Sequence, residues 1–182
     1  MTVREIAVSA AVLLQADDIE DLLCDSETPE ITDADVKALI ECVHLAAAEL
    51  AGHFPILKTV TAECDDRFIP LDVFDGGIAT VKEVKKNGDI TRFGFDSRGV
   101  RVIGRGSYEV TYTSPYAPVE LDEDVQVGAG VDREMLTYLT VRNYCLITGR
   151  TDEAGIWDQR YNDEAESKRI ERRASLPKRR WI

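Results

Sequence analysis

Few residues in this chain have types and spacing suited to chemistry. It holds two histidines, His44 and His53, and four cysteines, Cys24, Cys42, Cys64 and Cys145. Cys42 and His44 stand closest, and a thiolate activated by an imidazole would be a nucleophile. Two positions apart on a helix, their side chains diverge, so packing is the expected role. No cysteines are spaced C-x-x-C and neither histidine stands at ligand spacing from one. No zinc site is therefore expected, and the thiols are expected to be buried and free. Two acidic clusters, Asp17-Asp18-Ile19-Glu20-Asp21 and Asp122-Glu123-Asp124, could hold Mg²⁺ or run acid–base chemistry. Neither has a histidine or phosphate loop beside it, so both are expected to be solvated faces. Gly104-Arg105-Gly106 looks like half a dinucleotide fingerprint, but the third glycine is missing and strand-like runs flank it. A hairpin turn is expected there. The nucleotide P-loop, the G-x-S-x-G elbow, the H-E-x-x-H helix and the calcium loop are all absent from the sequence. The chain is expected not to be an enzyme, with no catalytic, cofactor-binding or metal-ligating residue and no cofactor.

The elements that would position any site fall into three blocks. Arg4–Cys24 has apolar residues at helical spacing (Ile6, Ala10, Leu13, Leu14, Ile19, Leu22, Leu23) and predicts one or two helices broken near Asp17-Asp18. Ser26-Glu27-Thr28-Pro29 predicts a loop. Thr32 is the expected N-cap of the next helix, with Asp33 and Asp35 in its first turn, Val36, Leu39, Val43 and Leu50 on its apolar face, and Gly52 as its C-cap before Pro55. From Leu57 to Val127 the pattern turns to β. Lys58–Glu63 alternates, Asn87-Gly88 is a strong hairpin signal, and Ile90–Phe95 predicts a strand. Tyr108, Val110 and Tyr112 alternate again. Turns about every ten residues imply an antiparallel sheet or sandwich of four to six strands. Pro115 to Asp124 predicts a linker. Asp132 is the expected cap of a helix ending at Gly149, and Thr151-Asp152-Glu153 the cap of another with the stripe Ala154, Trp157, Tyr161 and Ala165. Trp157 and Tyr161, one turn apart, are expected to pack this helix onto its neighbour.

The chain of 182 residues carries a net charge of −12. That charge is uneven: residues 168–182 hold seven bases and one acid, so the remainder stands at −18. An acidic body repels polyanions, which argues against nucleic-acid binding by the domain itself. Trp181 follows Lys178-Arg179-Arg180, and Trp and Arg are common interface anchors. The segment Leu176, Pro177, Lys178, Arg179, Arg180, Trp181 and Ile182 is therefore expected to be a partner-docking peptide. The absence of a long apolar run or a leader-like block predicts a chain without a membrane span, intracellular at synthesis. The overall expectation is one α+β domain. N- and C-terminal helices form a small bundle (1–56 and 128–173), an antiparallel β-rich region is inserted (57–127), and a basic tail follows (174–182).

Several patches resemble the head–tail connector, or adaptor, proteins of tailed bacteriophages. They are Leu45-Ala46-Ala47-Ala48-Glu49-Leu50 followed by His53-Phe54-Pro55, then Tyr144–Gly149, Glu153–Tyr161 and Leu176–Ile182. The order helix, β insertion, helices, basic tail is similar too. The resemblance implies a ring, usually twelvefold, of neighbouring copies beneath a portal protein. It implies docking of the C-terminal tail on the portal, contact with the next tail or stopper component, and passage of DNA without specific binding. It places such a protein in the virion neck, made in host cytoplasm. The −18 body suits a channel wall past which DNA slides, with Asp122–Asp124 expected to face the lumen. The alternative is a non-viral intracellular adaptor module whose acidic body binds a basic partner.

Overall fold

Thr2 sets the start of the first helix. Its hydroxyl accepts a hydrogen bond from the Glu5 amide (3.2 Å), and the Glu5 carboxylate accepts one from the Thr2 amide (3.0 Å). This reciprocal box satisfies two amides that a helix start leaves without partners. The structure, a computed structural model, describes residues 1–24 and 33–174. Helix α1 (Val3–Leu14) closes where Gln15 adopts a left-handed conformation, and Asp17 and Asp18 open α2 (Asp17–Cys24) instead of merely breaking the run. The predicted loop Ser26–Pro29 and the predicted cap Thr32 lie outside the described residues. At the start of α3 (Ala34–His53), the Asp33 carboxylate accepts from the amides of Asp35 (2.9 Å) and Val36 (3.0 Å). Gly52 lies within α3 and is not its C-cap. The helix runs one residue further, and Pro55 prevents continuation.

Seven strands follow among the described residues, more than the four to six expected, in two antiparallel sheets. They are β1 (Ile56–Cys64), β2 (Phe68–Pro70), β3 (Thr80–Lys86), β4 (Asp89–Ile90), β5 (Phe93–Asp96), β6 (Gly99–Val102) and β7 (Gly106–Ser114). The orders are β1-β7-β3-β4 and β2-β6-β5. Asn87 and Gly88 both take positive φ between Lys86 and Asp89, which is the turn that matches strand twist in a two-residue hairpin. The single strand expected over Ile90–Phe95 is two strands, because the chain leaves one sheet at Thr91-Arg92 and joins the other. Gly104-Arg105-Gly106 is likewise a corner between sheets and not a hairpin: β6 and β7 belong to different sheets. Tyr108 locks that corner by donating its hydroxyl to the carbonyls of Ile103 and Gly104, and Lys86 donates to the Arg105 carbonyl (2.6 Å). The alternating Tyr108, Val110 and Tyr112 join Val84, Ile69, Val100 and Phe74 in one apolar core.

After Ser114 the chain returns to helix through α4 (Arg133–Ile147) and α5 (Thr151–Ala174). Asp132 caps α4, its carboxylate accepting from the Met135 amide (3.0 Å). Thr151, expected as a cap, is the first residue of α5 itself. The fold is α+β, with helices at both ends of the chain flanking a β middle. The chain divides into two compact units: a helical one of residues 1–49, 118–125 and 130–182, and a β one of residues 50–117 and 126–129. In the helical unit the expected linker is tied to α1. The Arg4 amide donates to the Leu121 carbonyl (2.8 Å) and the Val125 amide to the Met1 carbonyl (3.0 Å). Val3, Ile6, Ala10, Leu39, Val43, Leu136, Leu139 and Tyr161 are buried there.

Candidate functional site

The predicted docking residues Leu176, Pro177, Lys178, Arg179, Arg180, Trp181 and Ile182 lie outside the described residues. The structure does describe how the helix leading to them is held. Ala154, Tyr161 and Ala165 are buried along one stripe of α5. Trp157 is half-buried, its ring tilted against Tyr138 of α4 at 5.7 Å between centroids, and the Arg160 guanidinium lies 4.5 Å from the centre of the same indole. An indole between a phenol ring and a guanidinium gains both ring packing and a cation–π contact. Further along, the Lys168 ammonium reaches Asp132 (3.2 Å), the residue that caps α4, and Glu164 (3.4 Å).

The strongest polar clamp sits at the other end of this helix pair. Arg142, on α4, donates to both carboxylate oxygens of Glu49 on α3, to Asp158 on α5 (3.1 Å) and to the side chain of Asn143 (2.8 Å). Burial acts to lower the Arg142 pKa, but the hydrogen bonds it donates to Glu49 and Asp158, with the negative charge of both, outweigh it, and the net shift is upward. The guanidinium therefore stays charged and fixes three helices in register. A cleft of about 340 Å³ lies beside it, lined by Arg142, Leu146, Ala154, Gly155 and Asp158.

The residues first considered for chemistry are not brought together. Cys42 is buried, and burial pushes its thiol up to about 11. Burial also raises the Cys145 thiol. Neither is a thiolate at neutral pH, which a nucleophile requires. Cys64 is buried and its thiol faces the Phe68 carbonyl (3.5 Å), whereas Cys24 is exposed, so the expectation of four buried thiols holds for three. Asp17, Asp18 and Asp21 are exposed on α2. Asp122 and Asp124 instead have cations: Asp122 pairs with Arg4 (2.6 Å) and Asp124 with the Met1 amino group (2.5 Å). The Arg4 hydrogen bond holds the Asp122 carboxyl below its usual range.

The Arg142 clamp escapes a reading of the sequence because its partners lie 93 and 16 positions away. The available signal was an Arg-Asn pair inside an otherwise apolar helical run. The chain matches no protein-family model and no curated protein sequence.

Proposed function

We propose that this protein is a structural head–tail connector of a tailed phage. It forms a ring under a portal protein and docks on it through Leu176–Ile182. Its role is binding, not catalysis, and it extends the channel through which DNA passes. The observation that carries the reading is the partition of charge. The β unit has nine acids and nine bases and is neutral, so the whole excess of negative charge belongs to the helical unit. Residues 168–182 are +6 within a unit that is otherwise −18. An acidic wall lets phosphate slide past, while a basic segment ending Arg-Arg-Trp-Ile suits an acidic or polar groove on another protein. The anchoring of α5 by Arg142, Trp157 and Lys168 supports the same reading, because a docking segment needs a fixed point of departure. The sequence patches given above support it further. Arg179 and Arg180 would donate charge-assisted hydrogen bonds and Trp181 would fill an apolar pocket. Repeated around a ring, modest single-site affinity becomes high avidity.

The test is co-sedimentation with the portal protein encoded in the same genome, comparing the full chain with one stopped at Arg173. Binding by the full chain alone supports the proposal and the role of the tail. Equal binding by both moves the docking surface elsewhere. Binding by neither overturns the connector reading in favour of a cellular adaptor module.

A further inference from the structure

Strand β5 lies at the edge of its sheet, paired with β6 on one side. Phe93 and Phe95 oppose Val102 and Val100, so all four side chains share one face of the sheet. The valines are buried, but the phenylalanines, at the open edge, are 38% and 42% exposed. A free edge with unpaired amides and carbonyls beside apolar side chains is a surface that another chain can recognise. This edge is also basic. Arg92 is exposed with no ion-pair partner among the described residues, and Arg98 and Arg101 share one acid, Asp96. Over residues 91–102, which hold β5 and its partner β6, three bases stand against one acid.

The helical unit carries a complementary surface. Between α1 and α4 runs a largely apolar groove of about 360 Å³, lined by Val8, Val12, Leu13 and Tyr138, with Arg133 and Glu134 both among its polar residues, so that its own charge balances. Val12 and Leu13 are exposed in it. Immediately beyond Leu13 come the exposed Asp17, Asp18 and Asp21, and from residue 17 to 24 there are four acids and no base. Each surface thus joins exposed apolar side chains to a flank in which one sign of charge predominates, basic beside β5 and acidic along α2.

We infer that the β5 edge of one copy docks on the α1–α4 groove of a second copy, with Phe93 and Phe95 against Val12 and Leu13 and with Arg92 and Arg98 facing Asp17 and Asp21. The two surfaces differ, so every copy uses both. Such a contact is heterologous and propagates into a ring or an open chain. The inference deepens the connector reading by naming the contact between neighbours, and it rests on that reading for closure into a ring.

Sedimentation velocity of the full-length protein tests it, with circular dichroism confirming that each variant stays folded. The wild-type chain is expected to self-associate and to weaken as salt is raised. Reversing either side, Arg92→Glu with Arg98→Glu or Asp17→Lys with Asp21→Lys, should weaken association by about tenfold or more. Mixing the two reversed variants should restore it, because each reversed surface then meets its opposite. A wild-type chain that stays monomeric, variants that associate like wild type, or a mixture that restores nothing each overturns the proposal. Portal co-sedimentation of the same variants separates the two claims. Portal binding without rescue by mixing leaves the connector standing and removes this interface. Rescue by mixing without any portal binding keeps the interface and removes the connector.

Discussion

Replacing Arg142 by methionine keeps most of the side-chain volume and removes the one cation that joins α3, α4 and α5 at this point. The Arg142 side chain is 15% exposed, while Glu49 and Asp158 are 36% and 47% exposed. Breaking a fully buried pair costs about 3–5 kcal/mol, and a fully exposed pair is worth about 1 kcal/mol or less. Partners that keep a third to a half of their contact with water place this clamp between those bounds, at about 2 kcal/mol. For a chain of this length that amounts to a drop of roughly 4–8 °C in Tm. The assay is thermal unfolding followed by circular dichroism at 222 nm, which reports the helical unit. A second substitution, Glu49→Gln, in the Arg142→Met background should recover part of the loss, because it removes a carboxylate left without its cation. A drop under about 1 °C, or strictly additive losses in the double variant, would refute the assignment of Arg142 as a three-helix clamp.

Four further outcomes are expected. Gly128→Ala should cost about 3 kcal/mol or more in urea unfolding, because a Cβ there would come within 1.9 Å of the Phe54 carbonyl oxygen, a backbone atom that cannot turn away. Asp132→Ala should cost about 1 kcal/mol through loss of the α4 cap, with Lys168 losing an acidic partner as well, read by the same melt. Cys42 should impose an alkaline loss of stability. Unfolded, its thiol ionises near the ordinary 9.0, and folded it holds its proton up to about 11. Between those values the unfolded chain sheds a proton that the folded chain keeps, so stability falls as pH rises through that window. Cys42→Ala should flatten this part of the pH profile relative to wild type. In the wild-type chain, a thiol reagent at neutral pH should label Cys24 quickly and the three buried cysteines only on unfolding.

Much of the secondary structure was legible because it depends on neighbours in the chain. Helical spacing in Arg4–Cys24, the Asp132 cap and the Asn87-Gly88 turn are short-range signals, and each appears as an element or boundary in the structure. The alternation of Tyr108, Val110 and Tyr112 appears as a strand, β7, in which these three residues enter the core, since a strand facing a core on one side writes that fact every second residue. Gly52 misled because a glycine is tolerated inside a helix when the next residue is stopped by proline. Gly104-Arg105-Gly106 and Ile90–Phe95 misled for a common reason. A turn and a strand run look alike in sequence whether the chain pairs back on itself or crosses to a second sheet.

The sequence alone determined the α+β order, the Asp132 cap, the Asn87-Gly88 turn, and the separation of a +6 end from a −18 remainder, because propensity, periodicity and charge are properties of short stretches. Tertiary structure alone decided that seven strands divide between two sheets, that Phe93 and Phe95 lie at an open edge, that Asp122 and Asp124 are held by Arg4 and Met1, and that Arg142 gathers Glu49 and Asp158. The ion pairs among these join groups 16 to 123 positions apart, and the sheets divide strands that are neighbours in the chain. Nothing in local propensity selects such a partner; it is chosen when burial brings a charge or a strand edge to the group that satisfies it.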